Sequence, residues 1–338
     1  MAATRLEFHR NLPGYTVTPV HDLPAVAAEL GVGRVLVKDE SFRLGLPAFK
    51  MLGASWAAYR VLAEHYGVPE EPTIEALRAR IAGCDPVTLV TATDGNHGRA
   101  VARMASYLGL DAIILLPDVV SEEAIQAIRD EDADVRVLDV PYDATVQAAA
   151  RLCADSAGDR LLVQDTSWPG YETVPQWIVE GYATLFDELV EQLDGENALL
   201  VVPTGVGSLA HAAVLHCQRY PGWRSITVEP EAATCIAASL SAGEPVAVAT
   251  GITTMAGLNC GTPSTLAFPD LLATLEGGVW VTDEESGRAS ALLKAEGIDA
   301  GPCGAASLAA LSHLVSGDDA PQLRPDQTIV LLNTEATR

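Results

Sequence analysis

The sequence predicts an α/β protein built on open, mainly parallel sheets. Continuous apolar runs of four to six residues recur along the 338 residues, bounded by turn-forming residues and separated by helix-length segments. A strand buried on both faces of a parallel sheet reads as such an unbroken run, because helices cover it on either side. Nine runs therefore predict strands, at 34–40, 87–93, 112–117, 135–140, 161–165, 198–203, 225–230, 278–283 and 328–333.

The segments between these runs predict helices. Thr282 followed by three acidic residues is typical of a helix start, since carboxylates stabilise the positive end of a helix. No repeat or low-complexity linker separates domains, which favours two interdigitated lobes. We expect loops at 67–73 and 242–264, and helices at 49–66, 97–108, 122–130, 143–154, 174–193, 209–219, 284–296 and 305–314.

Charge and composition exclude several classes of partner. The formal net charge of -24 argues against nucleic acid or an anionic membrane surface, since either needs a basic face. No apolar run reaches the roughly 18 residues that a membrane-spanning helix needs, and the start lacks a signal sequence. We therefore expect a cytoplasmic protein. The six cysteines lack metal-ligand spacing, so we expect no metal site.

Lysine is scarce in this chain. Only Lys38, Lys50 and Lys294 occur among 21 basic residues, and Lys50 stands between apolar residues in Pro-Ala-Phe-Lys-Met-Leu-Gly. Burial at the start of an apolar helix lowers the pKa of an amine and suits an imine-forming nucleophile. A helix lysine that merely extends its ammonium to water is the alternative.

Two polar turns follow predicted strands, where open parallel sheets bind their ligands. Gly205-Val206-Gly207-Ser208 leads into a helix and predicts a phosphate cradle of backbone N–H groups. Its spacing to Ala210, with Glu229 after the next strand, also fits a dinucleotide fingerprint, which leaves an NAD-linked oxidoreductase open.

The other turn runs from Thr91 to Gly98 and contains Asp94 and Asn96. Asn96 offers donor and acceptor atoms to an aromatic hydroxyl or a substrate carboxylate, and Asp94 is a candidate base. A helix cap accounts for part of this turn, but a cap needs only one such residue.

Together with the Lys50 run, these turns resemble fold-type II pyridoxal-phosphate (PLP) enzymes of the tryptophan synthase β-like family, and most closely the diaminopropionate ammonia-lyase family. That closer resemblance rests on motifs in order between residues 38 and 335, at 38–41, 45–50, 142–146, 164–171, 177–185, 256–261 and 333–335.

The resemblance implies two open, twisted, mainly parallel-sheet α/β domains with the cofactor in the cleft between them. We expect a large PLP-binding domain from 1–56 plus 171–338 and an inserted small domain from 57–170. By similarity Lys50 forms the Schiff base, Asn96 binds the ring hydroxyl and Thr334 faces the ring nitrogen. Gly205, Val206, Gly207 and Ser208 would hold the phosphate.

The implied activity is α,β-elimination of ammonia from D- or L-2,3-diaminopropionate, giving pyruvate and ammonia. Asp94 would remove the α-proton of one enantiomer, and Asp165 or Lys50 that of the other. Tyr142, Thr93 and His97 are candidate substrate-pocket residues.

Other interpretations stay open. They are a serine/threonine dehydratase, a β-replacement enzyme and a non-catalytic amino-acid sensor. The dehydratase and the β-replacement enzyme share the lysine, the asparagine and the glycine turn, but their chemistry does not require paired aspartates. The resemblance further implies a homodimer acting on a small amino acid, and a disulfide between Cys235 and Cys260 as a weak hypothesis.

Overall fold

A computed structural model of the chain describes residues 4–69, 71–93, 95–316 and 323–337. The chain divides into two compact units, each of the α/β class that the sequence predicts. The first unit comprises 1–16, 44–46 and 50–184, and the second comprises 17–43, 47–49 and 185–338.

These units differ from the sequence-based domain bounds in where they place several segments. Residues 1–16, 44–46, 50–56 and 171–184 belong to the first unit, whereas the sequence assigns them to the large domain. The domain bounds themselves stay a prediction.

The first unit contains a four-stranded parallel sheet in the order β5-β4-β3-β6. Its strands are β3 (Thr88–Ala92), β4 (Asp111–Pro117), β5 (Asp134–Leu138) and β6 (Arg160–Leu162). Its helices are α1 (Arg5–Arg10), α3 (Lys50–Tyr66), α4 (Ile74–Ile81), α5 (Asn96–Leu108), α6 (Glu122–Arg129), α7 (Tyr142–Ala154) and the part of α8 (Thr173–Gln192) up to Thr184.

Apolar side chains of β3 and β4 join the sheet of the first unit to helix α7. Val90 and Leu115 are almost completely buried and pack in one cluster with Val146 and Ala149. The unbroken apolar runs of β3 and β4 are therefore buried, as the sequence predicts for parallel strands whose sheet is covered on both faces.

Helices α3 and α8 approach closely within the first unit. A Cβ atom at Gly53 would collide with the ring of Tyr182, and one at Gly181 would collide with the carbonyl oxygen of Leu52. Glycine at both positions therefore lets the two backbones come together, which fixes the start of α3 and with it Lys50.

The second unit contains a six-stranded sheet in the order β1-β2-β10-β7-β8-β9. All neighbouring strands are parallel except β1, which pairs with β2 in the antiparallel sense. The strands are β1 (Val20–Asp22), β2 (Arg34–Asp39), β7 (Ala198–Pro203), β8 (Arg224–Pro230), β9 (Gly278–Val281) and β10 (Thr328–Asn333). The remaining helices are α2 (Pro24–Leu30), α9 (Ser208–Arg219), α10 (Cys235–Ala242), α11 (Phe268–Thr274), α12 (Asp283–Ala295), α13 (Pro302–Ala309) and α14 (Leu311–Ser316).

A charged network lies buried in the second unit. Arg43 and Lys38 are completely buried, as is Glu40, and only 2% of Glu188 is exposed. The Arg43 guanidinium donates hydrogen bonds to both carboxylates, and Lys38 Nζ donates to Glu188 Oε2 over 2.7 Å. Two cations thus face two carboxylates, which is the balance that burial of charge requires.

No helix within the described parts of the chain combines the length and the apolar character needed to span a membrane.

Candidate active site

Lys50 forms an ion pair with Asp165 in the first unit. Lys50 is the first residue of α3, and its Nζ lies 2.8 Å from Asp165 Oδ2. The lysine side chain is 22% exposed and the aspartate side chain 9%. The predicted nucleophile and one predicted base are therefore within hydrogen-bond distance of each other, and solvent reaches the amine.

The Asp165 carboxyl is charged at neutral pH. Burial alone would raise its pKa, because a charged group is poorly solvated in the protein interior. The Lys50 ammonium, followed by His97, outweighs that effect and holds the pKa at about 2. The carboxylate is thus available as a proton acceptor.

His97 lies beside the same carboxylate. It is buried near the start of α5, and its Nε2 is 2.8 Å from the carbonyl oxygen of Val163. Since a carbonyl only accepts, Nε2 carries the hydrogen and donates it. The other ring nitrogen, Nδ1, faces Asp165 Oδ2 at 3.9 Å.

The turn before α5 holds the other predicted residues of this unit. Thr93 is buried, and its Oγ1 accepts the N–H groups of Gly95 and Gly98, each over 3.0 Å. Its hydroxyl thus stabilises the start of the helix. Asn96 is the half-buried first residue of α5. Asp94, the other predicted base, lies outside the described residues.

Two further residues lie near the pair of Lys50 and Asp165, and the sequence analysis did not single them out. Gln164 donates through Nε2 to Asp165 Oδ1 over 3.2 Å and to the hydroxyl of Tyr142 over 3.3 Å. Tyr182 is buried close to Lys50, and its burial raises the pKa of its hydroxyl. Both stand inside motifs that carry the family resemblance, which was the available signal.

The glycine turn lies in the second unit, between β7 and α9. Gly207 has φ of +104°, a left-handed conformation that favours glycine. A Cβ atom at Gly205 would lie 2.9 Å from Cys260 Sγ. Helix α9 begins at Ser208, directly after this turn, and the positive end of a helix attracts an anion, which makes this turn suited to a phosphate group.

Thr334 follows β10 in the same unit and has an unused polar atom. Its side chain is buried, and Oγ1 has no hydrogen-bond partner among the described residues. A buried hydroxyl without a partner is costly unless a ligand satisfies it. Its carbonyl oxygen accepts the N–H of Phe49, the residue before Lys50, over 3.2 Å. The hydroxyl and the glycine turn both fit the ring nitrogen and phosphate of PLP.

Glu229 has a structural role instead of a ribose-binding one. Its two carboxylate oxygens accept the N–H groups of Ile236 and Ala237, over 2.7 and 2.8 Å. The carboxylate thereby caps α10, which removes Glu229 from the two observations that supported the NAD alternative. The hypothetical disulfide is absent, because no S–S bond joins Cys235 to Cys260.

Comparison with known proteins agrees with this geometry. A family model described as pyridoxal-phosphate dependent enzyme matches residues 12–335. Diaminopropionate ammonia-lyase of Salmonella typhimurium is 38% identical over 285 residues, covering 78% of this chain and 68% of that enzyme. The enzyme of the same name from Escherichia coli K12 is 40% identical over 273 residues, covering 78% of this chain and 67% of its own.

Solved structures extend the similarity to the fold. The crystal structure of diaminopropionate ammonia lyase from Escherichia coli in complex with D-serine has a TM-score of 0.88 and 33% identity to this chain. The match covers 98% of this chain and 87% of that one. The predicted fold-type II architecture is therefore confirmed, and the chain belongs to the pyridoxal-phosphate dependent enzyme family.

Proposed function

We propose that the chain is a PLP-dependent lyase that removes ammonia from D- or L-2,3-diaminopropionate and yields pyruvate and ammonia. Among the residues themselves, the observation that carries the proposal is the ion pair of the partly exposed Lys50 with the buried Asp165, with Nζ and Oδ2 2.8 Å apart. An amine and an ionised carboxylate at this distance supply both the attachment point for the cofactor and a base.

The residues that the family resemblance assigns to the cofactor would divide its binding as follows. Lys50 would bind it covalently, and the turn from Gly205 to Ser208 would bind the phosphate. Asn96 would bind the ring hydroxyl, and Thr334 Oγ1 would face the ring nitrogen. When bound, the cofactor supplies an electron sink for negative charge that develops at the substrate α-carbon. A neutral hydroxyl beside the nitrogen makes that sink a moderate one.

Asp165 becomes a stronger base once the Lys50 amine no longer pairs with it as an ammonium ion. The ammonium of Lys50 is the main influence that lowers the pKa of the carboxyl against its burial. Without that positive charge the burial effect remains, and the pKa rises toward the range useful for proton transfer. Asp165 can then take the α-proton of one enantiomer.

Asp94 is our candidate base for the other enantiomer, from its place in the sequence after β3. Carboxylates also favour a substrate whose side chain is cationic over serine or threonine, because they attract the β-ammonium group. A protonated carboxyl can return a proton to the leaving ammonia. Tyr142, Thr93 and His97 are proposed to line the substrate pocket.

The overall reaction balances without an oxidant. The substrate loses its α-proton and its β-amino group, and the C–N bond breaks as the carbon–carbon double bond forms. The resulting 2-aminoacrylate takes up water and gives pyruvate and a second ammonia. We also propose that the chain acts as a homodimer, which the family resemblance supports, and that it acts in the cytoplasm.

Two measurements on the purified protein test the proposal. The visible absorption band of a lysine-bound PLP should be present and should disappear on borohydride reduction. Pyruvate and ammonia should then be measured with D- and L-2,3-diaminopropionate, serine, threonine and cysteine. We expect kcat/KM for one diaminopropionate enantiomer to exceed that for serine and threonine at least about tenfold, equal to ~1.4 kcal/mol. Faster turnover of serine or threonine would instead identify a dehydratase.

A further inference from the structure

We propose that Gln164 is a positioning residue that orients the Asp165 carboxylate and keeps it ionised. The inference rests on the proposed function, in which Asp165 is a base. It concerns a residue outside the set proposed above to bind the cofactor or to move a proton, and it follows from the hydrogen bonds around one buried amide.

The orientation of the Gln164 amide is fixed by a neighbouring backbone N–H, which can only donate a hydrogen bond. The backbone N–H of Ala92 donates to Gln164 Oε1 over 2.9 Å, and the Thr91 hydroxyl donates to the same oxygen over 3.0 Å. Because a backbone N–H cannot accept, the atom it faces must be the amide oxygen. The NH₂ group is therefore on the opposite side.

The NH₂ group faces the proposed base Asp165 and the Tyr142 hydroxyl. Its two hydrogens go to Asp165 Oδ1 over 3.2 Å and to the Tyr142 hydroxyl over 3.3 Å. Gln164 is completely buried, so water does not compete for these hydrogens. Two acceptor and two donor positions of the amide are all used, and a flipped amide would lose its contacts with the Ala92 N–H and the Asp165 carboxylate, since neither group can reverse its role.

The backbone of Gln164 is held as firmly as its side chain. Its N–H donates to the Tyr171 hydroxyl over 2.9 Å, and that hydroxyl donates to the carbonyl oxygen of Leu162 over 3.0 Å. The preceding Val163 donates its N–H to the carbonyl oxygen of Val90 over 2.8 Å. Asp165 therefore follows a segment with little freedom to move.

The two oxygens of Asp165 consequently have different partners. Oδ2 accepts from Lys50, whereas Oδ1 accepts from Gln164. Hydrogen bonds to the charged form lower the pKa of a carboxyl. When the lysine amine is bonded to the cofactor, the Gln164 amide still holds Oδ1 in place, and together with His97 it favours the ionised carboxylate.

Two substitutions separate positioning from packing. Gln164→Leu keeps the volume roughly but removes both donors. Gln164→Glu keeps an oxygen for the Ala92 N–H and can donate to Asp165 only while the new carboxyl is protonated. Burial and the neighbouring carboxylate place the pKa of that new carboxyl above the ordinary glutamate value.

Activity should be measured for each diaminopropionate enantiomer across pH, with Asp165→Asn identifying the enantiomer that depends on Asp165. For that enantiomer we expect Gln164→Leu to lower kcat by about 10- to 100-fold at every pH. Gln164→Glu should be active at low pH and should lose activity through a new ionisation as pH rises. Gln192→Leu is the control, because it removes a hydrogen-bonded amide of the second unit. It should lower the melting temperature without changing the ratio of the two enantiomers.

Carbon-13 NMR of protein labelled at the aspartate carboxyls gives a readout that does not depend on turnover. We expect the pKa of Asp165, assigned with Asp165→Asn, to rise in Gln164→Leu by about one unit or more. Equal kinetic losses for both enantiomers, or an unchanged Asp165 pKa in a folded Gln164→Leu protein, would overturn the inference. If the unaltered chain releases ammonia from neither enantiomer, the proposed function fails, and the NMR comparison still decides the role of Gln164.

Discussion

Arg43 and Glu188 form a bidentate pair in the interior of the second unit. Nη1 donates to Oε1 over 2.7 Å, and Nη2 donates to Oε2 over 2.8 Å. Burial would raise the pKa of Glu188, but its hydrogen bonds and charge interactions with Arg43, and the charge of Lys38, hold it at about 2. This parallel geometry is the one in which a guanidinium and a carboxylate interact most strongly.

Loss of one partner from this pair should be strongly destabilising. We expect Glu188→Gln to lower the free energy of unfolding by about 3–5 kcal/mol, because it leaves two buried cations, Arg43 and Lys38, with only the Glu40 carboxylate as counter-charge. Arg129→Gln is the control, since its pair with Glu122 is exposed and should contribute less than about 1 kcal/mol. Urea unfolding of the three proteins checks this. Equal midpoints for the two variants would show that the buried pair adds no stability.

The identity of the cofactor-bearing lysine can be tested by peptide mapping after borohydride reduction. We expect the label on Lys50, since only Lys38 and Lys294 compete and Lys38 is completely buried. Lys50→Arg should keep a cation beside Asp165 but lose the absorption band and all turnover, because a guanidinium stays protonated. Lys294→Arg should behave as the parent. Label on another lysine would contradict the assignment.

The two proposed bases should be separable by substrate enantiomer. Asp165→Asn keeps the size of the side chain but cannot accept a proton, so kcat for one enantiomer should fall by about 10²–10⁴-fold. Asp94→Asn should mainly affect the other. Parallel assays with both enantiomers measure this, and proportional losses for each enantiomer in both variants would argue against two bases.

The left-handed glycine in the phosphate turn should resist substitution. In Gly207→Ala the alanine backbone would have to keep the left-handed φ of +104°, which is strained for a residue with a Cβ atom. The new Cβ would also lie 3.2 Å from Leu271 Cδ1. Gly195→Ala is a matched control, because its φ is +77° and no atom lies within 4 Å of the new Cβ. Both should lose stability through strain, but only Gly207→Ala should also bind PLP more weakly, as measured by titration of the absorption band. Equal PLP affinities in the two variants would show that the glycine turn does not bind the phosphate.

Glu229 should make stability depend on pH. Burial raises its pKa from 4.5 to about 7, despite two backbone N–H groups that favour the charged form. Between these two values the folded protein holds a proton that the unfolded chain has released, so this contribution to stability falls as pH rises through the window. The change is at most about 3 kcal/mol.

Glu229→Gln removes that titration while keeping an oxygen for the start of α10. The stability of the parent relative to this variant should therefore decrease from pH 4.5 to pH 7 and then stay level. Urea unfolding at a series of pH values measures the difference. A difference that is constant across the window would mean that Glu229 is ionised in the folded protein.

Apolar runs alone predicted nine of the strands at nearly their observed positions, because parallel strands bury both faces. The run at 161–165 ends early, with β6 stopping at Leu162. There the Val163 carbonyl accepts from His97, and the Gln164 N–H donates to Tyr171, so side chains occupy groups that a strand would use. Strand β1 was missed because three partly exposed residues give no periodic signal.

The candidate site was predictable only in part. Lys50 and the glycine turn have local signatures, one a rare residue type and the other a strand-to-helix turn. Thr93, predicted in the pocket, uses its hydroxyl at the start of α5. Gln164 gave no local signal, because its partners Thr91 and Ala92 are more than 70 residues away in the chain. Its role depends on a contact that only the folded sheet creates.

The complete burial of Lys38 has a practical consequence for handling the protein. If PLP occupies Lys50 as proposed, an amine-reactive reagent would meet one exposed lysine, Lys294 near the end of α12. Once the α-amino group is blocked, conjugation through amines should therefore attach a dye or a surface at a single defined point. The holoenzyme can be tethered there without a designed cysteine, in a uniform orientation suited to single-molecule work.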